Sequence, residues 1–130
     1  MTIISSYIGA WWDYVDAIAG HRLWSILQHD GEAMKQAMLG WSTDPDMWKR
    51  RSAILCQLGA KENTDLEFLY ACIEPSLDST EFFLRKAIGW ALRQYAWTDP
   101  AEVRRYVAAN SGRLSGLSRR EALKNVGAAA

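Results

Sequence analysis

The stretch that decides the fold is residues 80–97, which read TEFFLRKAIGWALRQYAW. Apolar side chains recur there at the three- and four-residue spacing of one helix face, at Leu84, Ile88, Ala91, Leu92 and Tyr95. A second stripe mixes aromatic rings with cations, and it consists of Phe83, Lys86, Trp90, Arg93 and Trp97, with Phe82 beside it. The stretch predicts a long helix capped by Ser79, with one face in a core.

The second stripe of this helix has two interpretations. Aromatic rings outside the core are costly to leave in water without a purpose. They could pack on the next helical repeat of the chain. They could instead form a surface for nucleic acid, where rings contact bases or sugars and Lys or Arg neutralises phosphates.

Recurring helix starts lie on both sides of this helix. Thr98-Asp99-Pro100 is an N-cap with proline at the first helical position, and Thr43-Asp44-Pro45 repeats it. An arginine pair follows each, at Arg104-Arg105 and at Arg50-Arg51. The repeat predicts stacked helix pairs, that is, an all-α, HEAT-like helical-repeat α-solenoid that forms a single domain over residues 1–130. An irregular helical bundle is the alternative.

Composition and capping signals set the expected number of helices at seven or eight. The 18 Ala and 13 Leu residues, against 4 Val, favour helix over strand. Thr64 or Asp65 is the expected cap of the fifth helix, and Ser118-Arg119-Arg120-Glu121 is a capping box for a short last one. The other predicted helices cover about 11–19, 23–29, 32–39, 45–58, 80–97 and 100–109, and the fifth ends before Pro75.

The charges are unevenly distributed along the chain. Lys and Arg number 15 in total, as do Asp and Glu, so the formal net charge is zero. Residues 82–130 nevertheless hold nine basic and three acidic side chains, a net charge of +6, and residues 1–81 carry −6. Such a split points to a polyanion partner for the basic part.

Other global features exclude several classes of protein. No apolar run approaches the roughly 20 residues of a membrane span, and residues 1–10 lack a signal-peptide pattern, so we expect a soluble, cytoplasmic protein. Cys56 and Cys72 match no metal-ligand spacing and are expected to be reduced core residues. His21 and His29 are expected at the surface. We therefore expect no metal and no cofactor.

Two charged residues stand in apolar surroundings. The helical neighbours of Arg51 are Met47, Trp48, Ile54 and Leu55, so its charge needs a compensating anion. That anion could be a buried carboxylate or a phosphate at the edge of a groove. Trp12 and Asp16 share a helix face and could frame a positively charged centre. Asp16 could alternatively pair with an arginine such as Arg51.

These segments together resemble a known family. Trp12-Asp13-Tyr14-Val15-Asp16, the stretch from Trp48 to Leu55, and Glu81-Phe82-Phe83 with the stretch from Lys86 to Arg93 are similar to the AlkD-type DNA alkylation repair enzymes. The resemblance continues from Leu114 to Lys124 and covers nearly the whole chain. Members of this family are alkylpurine DNA glycosylases built from HEAT-like repeats.

The resemblance implies a set of site residues. Asp16 corresponds to the catalytic carboxylate, and Trp12 and Trp90 correspond to the indoles that flank the lesion-bearing nucleotide. Arg51 corresponds to an arginine that contacts the DNA backbone near the lesion. The residues expected to line the same surface or to hold phosphates are Phe82, Phe83, Lys86, Arg119, Arg120 and Lys124.

The implied activity is hydrolysis of the N-glycosidic bond of purines alkylated at N3 or N7 in double-stranded DNA. Such a base is cationic and departs neutral, so a carboxylate that stabilises the oxocarbenium-like sugar and directs a water is sufficient. Family members usually carry further helices before the segment at Trp12, so we expect an N-terminally shortened member that is a monomer if complete. The alternative is a truncated module that binds DNA or protein with little or no catalysis.

Overall fold

The structure is a computed structural model that describes residues 31–126. The helices predicted at 11–19 and 23–29, both histidines, Trp12 and Asp16 lie outside the described residues.

Helices account for all the regular structure between residues 31 and 126, where no strand occurs. The six α-helices are α1 (Gly31–Trp41), α2 (Met47–Leu55), α3 (Leu66–Ile73), α4 (Phe82–Tyr95), α5 (Pro100–Ala109) and α6 (Gly116–Ala122). Single 3₁₀ turns occupy Lys61–Asn63, Glu74–Ser76 and Leu123–Asn125. The all-α prediction is confirmed.

The helices pack on their chain neighbours and on the helix two places along the chain. Within the described part, α2 packs on α4 and α4 packs most extensively on α6, while α5 lies against both α4 and α6. This pattern is consistent with stacked helix pairs of a helical repeat. None of these helices is long and apolar enough to cross a membrane.

Two of the predicted helix caps are confirmed. The Asp65 carboxylate accepts a hydrogen bond from the backbone N–H of Phe68 at 3.1 Å, at the start of α3. The Asp99 carboxylate accepts one from the N–H of Glu102 at 3.1 Å, and Pro100 is the first residue of α5. Each carboxylate satisfies an N–H that has no partner inside its helix.

The predicted start of α2 is wrong by two residues. Asp46, not Asp44, is its N-cap, and its carboxylate accepts from the N–H of Trp48 at 2.9 Å. Asp44 instead accepts from the N–H of Asp46 at 2.8 Å and closes a turn around Pro45. Asp46, directly after Pro45, therefore takes the N-cap position that the sequence predicts for Asp44. The helix also ends at Leu55, before the predicted Leu58.

The capping box predicted at Ser118 is also wrong. Ser115 is the N-cap of α6, and its hydroxyl accepts from the N–H of Ser118 at 3.0 Å. Ser118 lies inside the helix, is buried, and donates its hydroxyl to the carbonyl of Arg85 at 2.7 Å. The cap predicted at Ser79 is wrong as well. The helix α4 begins at Phe82 after Glu81, and the Ser79 hydroxyl accepts from the N–H of Glu81 in the turn before the helix.

The predicted core face of α4 lies in the main hydrophobic cluster. Leu84, Ile88, Ala91 and Leu92 are buried, and Tyr95 packs on the cluster from its edge. The structure adds a close approach between α4 and α6 that the periodicity does not reveal. A Cβ at the buried Gly89 would lie 2.6 Å from the Cβ of Glu121, so a glycine is needed there.

Both cysteines are buried and free, as predicted. They belong to a second small cluster with Met38, Ala53 and Phe68. A hydrogen bond with Cys72, followed by burial, raises the pKa of the Cys56 thiol well above its usual range. Such a thiol is protonated at neutral pH and unreactive.

Candidate nucleic-acid interface

Three aromatic rings from α2 and α4 form a continuous row at the N-terminal end of α4. The ring of Trp48 lies 5.3 Å from that of Phe83, and the ring of Phe83 lies 5.3 Å from that of Phe82 in an edge-to-face arrangement. Phe82 closes the row at the surface with 53% of its area exposed. We call Trp48, Phe83 and Phe82 the aromatic row.

The Lys86 ammonium joins this row from the next turn of α4. Its Nζ lies 5.9 Å from the centre of the Phe82 ring, within reach of a cation–π contact. The exposed end of the row thus combines an aromatic ring with a cation. This combination suits a surface that meets nucleic acid, which is one of the two interpretations of the second stripe.

Arg51 is fully buried on α2, with 0% of its surface exposed. Its Nη1 donates to the backbone carbonyl of Phe83 at 2.6 Å, and its Cζ lies 5.5 Å from the Phe83 ring. A guanidinium inside the protein is held by charge-assisted hydrogen bonds. Arg51 therefore joins α2 to the first turn of α4, which carries both phenylalanines.

The rest of the second stripe of α4 divides between two environments. Arg93 forms an ion pair with Glu121 at 3.5 Å, so there the stripe packs on the next helical element. Trp90 is half-buried and lines a cavity of about 590 Å³ that also borders α2 and α3. Trp97, just past the end of α4, lines the same cavity and is 72% exposed.

The predicted phosphate-binding residues of the last segment differ in their availability. Arg119 and Arg120 on α6 are exposed, and neither side chain forms an ion pair or hydrogen bond with any other described residue. Lys124 is exposed as well but pairs with Glu121 at 2.8 Å. A phosphate would compete with that carboxylate for Lys124, whereas the two arginines are available without such competition.

Much of the positive charge of residues 82–126 is neutralised within the protein. Arg105 pairs with Glu102 at 2.7 Å, and Arg113 reaches both Asp78 and Glu74. The net charge of +6 thus overstates the cationic surface that faces an external polyanion. Within residues 31–126 no cluster of His, Cys, Asp and Glu is arranged to hold a metal ion.

Sequence reasoning did not assign Trp48 to the candidate site and did not find the cavity. Trp48 lies three residues before Arg51, so the two share a helix face. This spacing is the sequence signal that could have placed Trp48 in the site. No sequence signal could have found the cavity, because its walls come from three helices and the connection between α2 and α3.

Comparisons with known proteins agree with the resemblance drawn from the sequence. The chain matches the model of a family described as DNA alkylation repair enzyme over residues 7–126. Its fold is similar to that of a predicted DNA alkylation repair enzyme from Enterococcus faecalis, with a TM-score of 0.76 and 34% sequence identity. The likeness covers 88% of this chain and 52% of that protein, so the chain spans about half of its length. No protein of curated function matches the sequence. On these findings, the chain belongs to the DNA alkylation repair enzyme family.

Proposed function

We propose that the chain is a DNA glycosylase that hydrolyses the N-glycosidic bond of cationic N3- or N7-alkylated purines in double-stranded DNA. The observation that carries this proposal is the family match over residues 7–126, which includes every predicted site residue from Trp12 to Lys124. The aromatic row is further support, since it offers ring contacts, and so are Arg119 and Arg120, which pair with no residue in 31–126 and offer phosphate contacts.

The proposed chemistry needs few groups. Alkylation at N3 or N7 places a positive charge on the purine, so the base leaves as a neutral molecule without a general acid. The Asp16 carboxylate would stabilise the oxocarbenium-like sugar and direct a water to it. Trp12 and Trp90 would flank the lesion-bearing nucleotide. Asp16 and Trp12 lie outside the described residues, and Trp90 stands half-buried at the middle of α4.

In this proposal the N-terminal part of α4 holds the DNA. Phe82 and Phe83 would contact sugars or bases, and Lys86 would neutralise a phosphate beside them. Arg119, Arg120 and Lys124 would hold phosphates further along the strand. The burial of Arg51 and its bond to the Phe83 carbonyl support a positioning role for it, and its contact with the DNA backbone stays a prediction.

The test is release of free base from a duplex that contains 7-methylguanine. The wild type should release the base, and Asp16→Asn should slow release by at least about 100-fold because it removes the charge that stabilises the transition state. The affinity of Asp16→Asn for the duplex should stay close to that of the wild type. Asp13→Asn is the matched control, since it removes one carboxylate charge from the same segment and should retain release.

Two outcomes would contradict the proposed activity. One is a folded, monodisperse wild type that releases no base. The other is an equal loss of release in Asp13→Asn and Asp16→Asn, which would mean that the charge of the segment matters and not the position of one carboxylate.

A second candidate is a DNA-binding module without turnover. The observation in its favour is that the chain spans about half of the Enterococcus faecalis protein. This module would bind duplex DNA with a strong salt dependence and release no base. Fluorescence anisotropy at several salt concentrations, run on the samples used for base release, separates the two candidates. An affinity independent of salt would exclude phosphate-dominated binding.

A further inference from the structure

Helix α6 and the 3₁₀ turn after it lie along α4 through contacts that repeat with the helical period. On α4 the contact points are Arg85, Gly89 and Arg93, which are four residues apart and therefore share one face. The Ser118 hydroxyl donates to the Arg85 carbonyl at 2.7 Å. The Asn125 side-chain amide donates to the Arg93 carbonyl at 2.9 Å. Both bonds join a side chain of one element to the backbone of another.

The order of these contacts shows that the two helices run in the same direction. Ser118, early in α6, meets the first half of α4, and Asn125, in the turn after α6, meets its last turn. Between them a Cβ at Gly89 would lie 2.6 Å from the Cβ of Glu121. Gly89 is the only glycine of α4, so the two helices can approach this closely in one register only.

The two arginines of α6 lie outside its contact face toward α4. Ser118 is 1% exposed, whereas Arg119 and Arg120 beside it are exposed and form no ion pair with any other residue in 31–126. A Cβ at Gly116 would lie 3.0 Å from Nη1 of Arg120, so this guanidinium folds back over the first turn of α6. Gly116 precedes Ser118 by about 3 Å of helix rise. The parallel register therefore sets the Arg120 guanidinium level with the first turn of α4, which carries part of the aromatic row.

We propose that Ser118 and Asn125 are positioning residues for DNA binding, which hold α6 in the register that sets Arg119 and Arg120 beside the aromatic row. The proposal rests on the phosphate contacts proposed above for the two arginines. A slip of α6 by one helical turn would move them by about 5.4 Å. Successive phosphates of one strand are about 3.4 Å apart along the duplex axis, so such a slip would misplace the guanidinium groups by more than one phosphate.

Duplex affinity, measured by fluorescence anisotropy at several salt concentrations, tests this role. Ser118→Ala removes the bond to α4 and leaves the Arg85 carbonyl with its partner inside the helix. It should weaken binding by about 3- to 10-fold and lower the slope of log affinity against log salt by about 1, because the arginines no longer reach their phosphates together. Asn125→Ala should act in the same direction.

A double-mutant cycle separates positioning from a general loss of structure. In a chain in which Arg119 and Arg120 are both replaced by glutamine, Ser118→Ala should change duplex affinity by less than about 2-fold, because there are no guanidinium groups left to misplace. A merely structural role of Ser118 would lower affinity by the same factor with and without the arginines.

The chain offers a matched control for each residue. Ser76→Ala removes a buried hydroxyl that has no hydrogen-bond partner among the described residues. Asn110→Ala removes an amide-to-carbonyl bond of the same kind as that of Asn125, but within α5, where Asn110 donates to Tyr106 at 2.9 Å. Neither variant should change the duplex affinity or its salt slope.

Three results would overturn the proposal. They are wild-type affinity and salt slope in Ser118→Ala, an equal loss of affinity with and without the two arginines, and a folded wild type that does not bind the duplex. All of these readouts measure binding. A wild type that shows the expected coupling but releases no base from alkylated DNA would contradict the glycosylase activity and support the positioning role.

Discussion

Replacing Gly89 with alanine should force α6 away from α4. An added Cβ would lie 2.6 Å from the Cβ of Glu121 and 3.1 Å from the carbonyl oxygen of Ser118. Neither contact can be relieved by rotating the end of a side chain, so the helix itself has to move. Such overpacking costs about 1–3 kcal/mol. The better helix propensity of alanine offsets about 1 kcal/mol.

We therefore expect Gly89→Ala to lower the free energy of unfolding by up to about 2 kcal/mol, which corresponds to as much as about 8 °C in Tm. The displacement also strains the hydrogen bond from Ser118 to the Arg85 carbonyl, now 2.7 Å long. Urea denaturation followed by circular dichroism measures the loss. The control is Gly40→Ala in α1, where nothing lies within 4 Å of an added Cβ and stability should not fall.

The result that would refute this reasoning is a Gly89→Ala protein as stable as Gly40→Ala. It would mean that the two helices are further apart than the structure has them. A loss confined to duplex affinity, with unfolding unchanged, would also contradict the packing argument.

Two further predictions concern charge. Hydrogen bonds from Arg105 and from the Tyr70 hydroxyl lower the pKa of Glu102 from 4.5 to about 2. Because the folded-state pKa lies below the unfolded value, this stabilisation is present above about pH 4.5 and is lost as the pH falls towards 2. Glu102→Gln should therefore flatten the dependence of stability on pH in that window, measured by urea denaturation. Separately, replacing both Arg119 and Arg120 with glutamine should reduce the slope of log affinity for duplex DNA against log salt by about 2.

Each charge prediction has a result that would contradict it, and the arginine prediction also has a control variant. For the arginines the control is Arg105→Gln. The Arg105 guanidinium is already paired with Glu102 in the wild type, so its removal should change the salt slope less. A double variant with the wild-type salt slope would show that Arg119 and Arg120 do not touch the DNA. For the carboxylate, an unchanged acid-unfolding profile in Glu102→Gln would show that other groups control the response.

Helix content and the core face of α4 were predictable because the signals are local. Leu84, Ile88 and Leu92 share a face through helical spacing alone, and Asp65 and Asp99 cap the N–H groups of residues three positions further on. These interactions form within one segment, whatever the rest of the chain does.

The predicted starts of α2 and α6 failed where two capping residues compete. Asp44 and Asp46 are both good caps, and so are Ser115 and Ser118. Sequence preference does not separate them, since each offers the same oxygen to a nearby N–H. Tertiary contacts then decide. Ser118 is held inside α6 because its hydroxyl reaches the Arg85 carbonyl on α4.

The sequence by itself determined that this protein is helical, that a long helix lies within residues 80–97, and which family it resembles. Only the tertiary structure decided that Arg51 is buried against the Phe83 carbonyl, that Gly89 is the contact point of α6, and that a cavity opens beside Trp97. The physical reason is separation along the chain. Arg51 and Phe83 are 32 residues apart, and such partners meet only when whole helices pack.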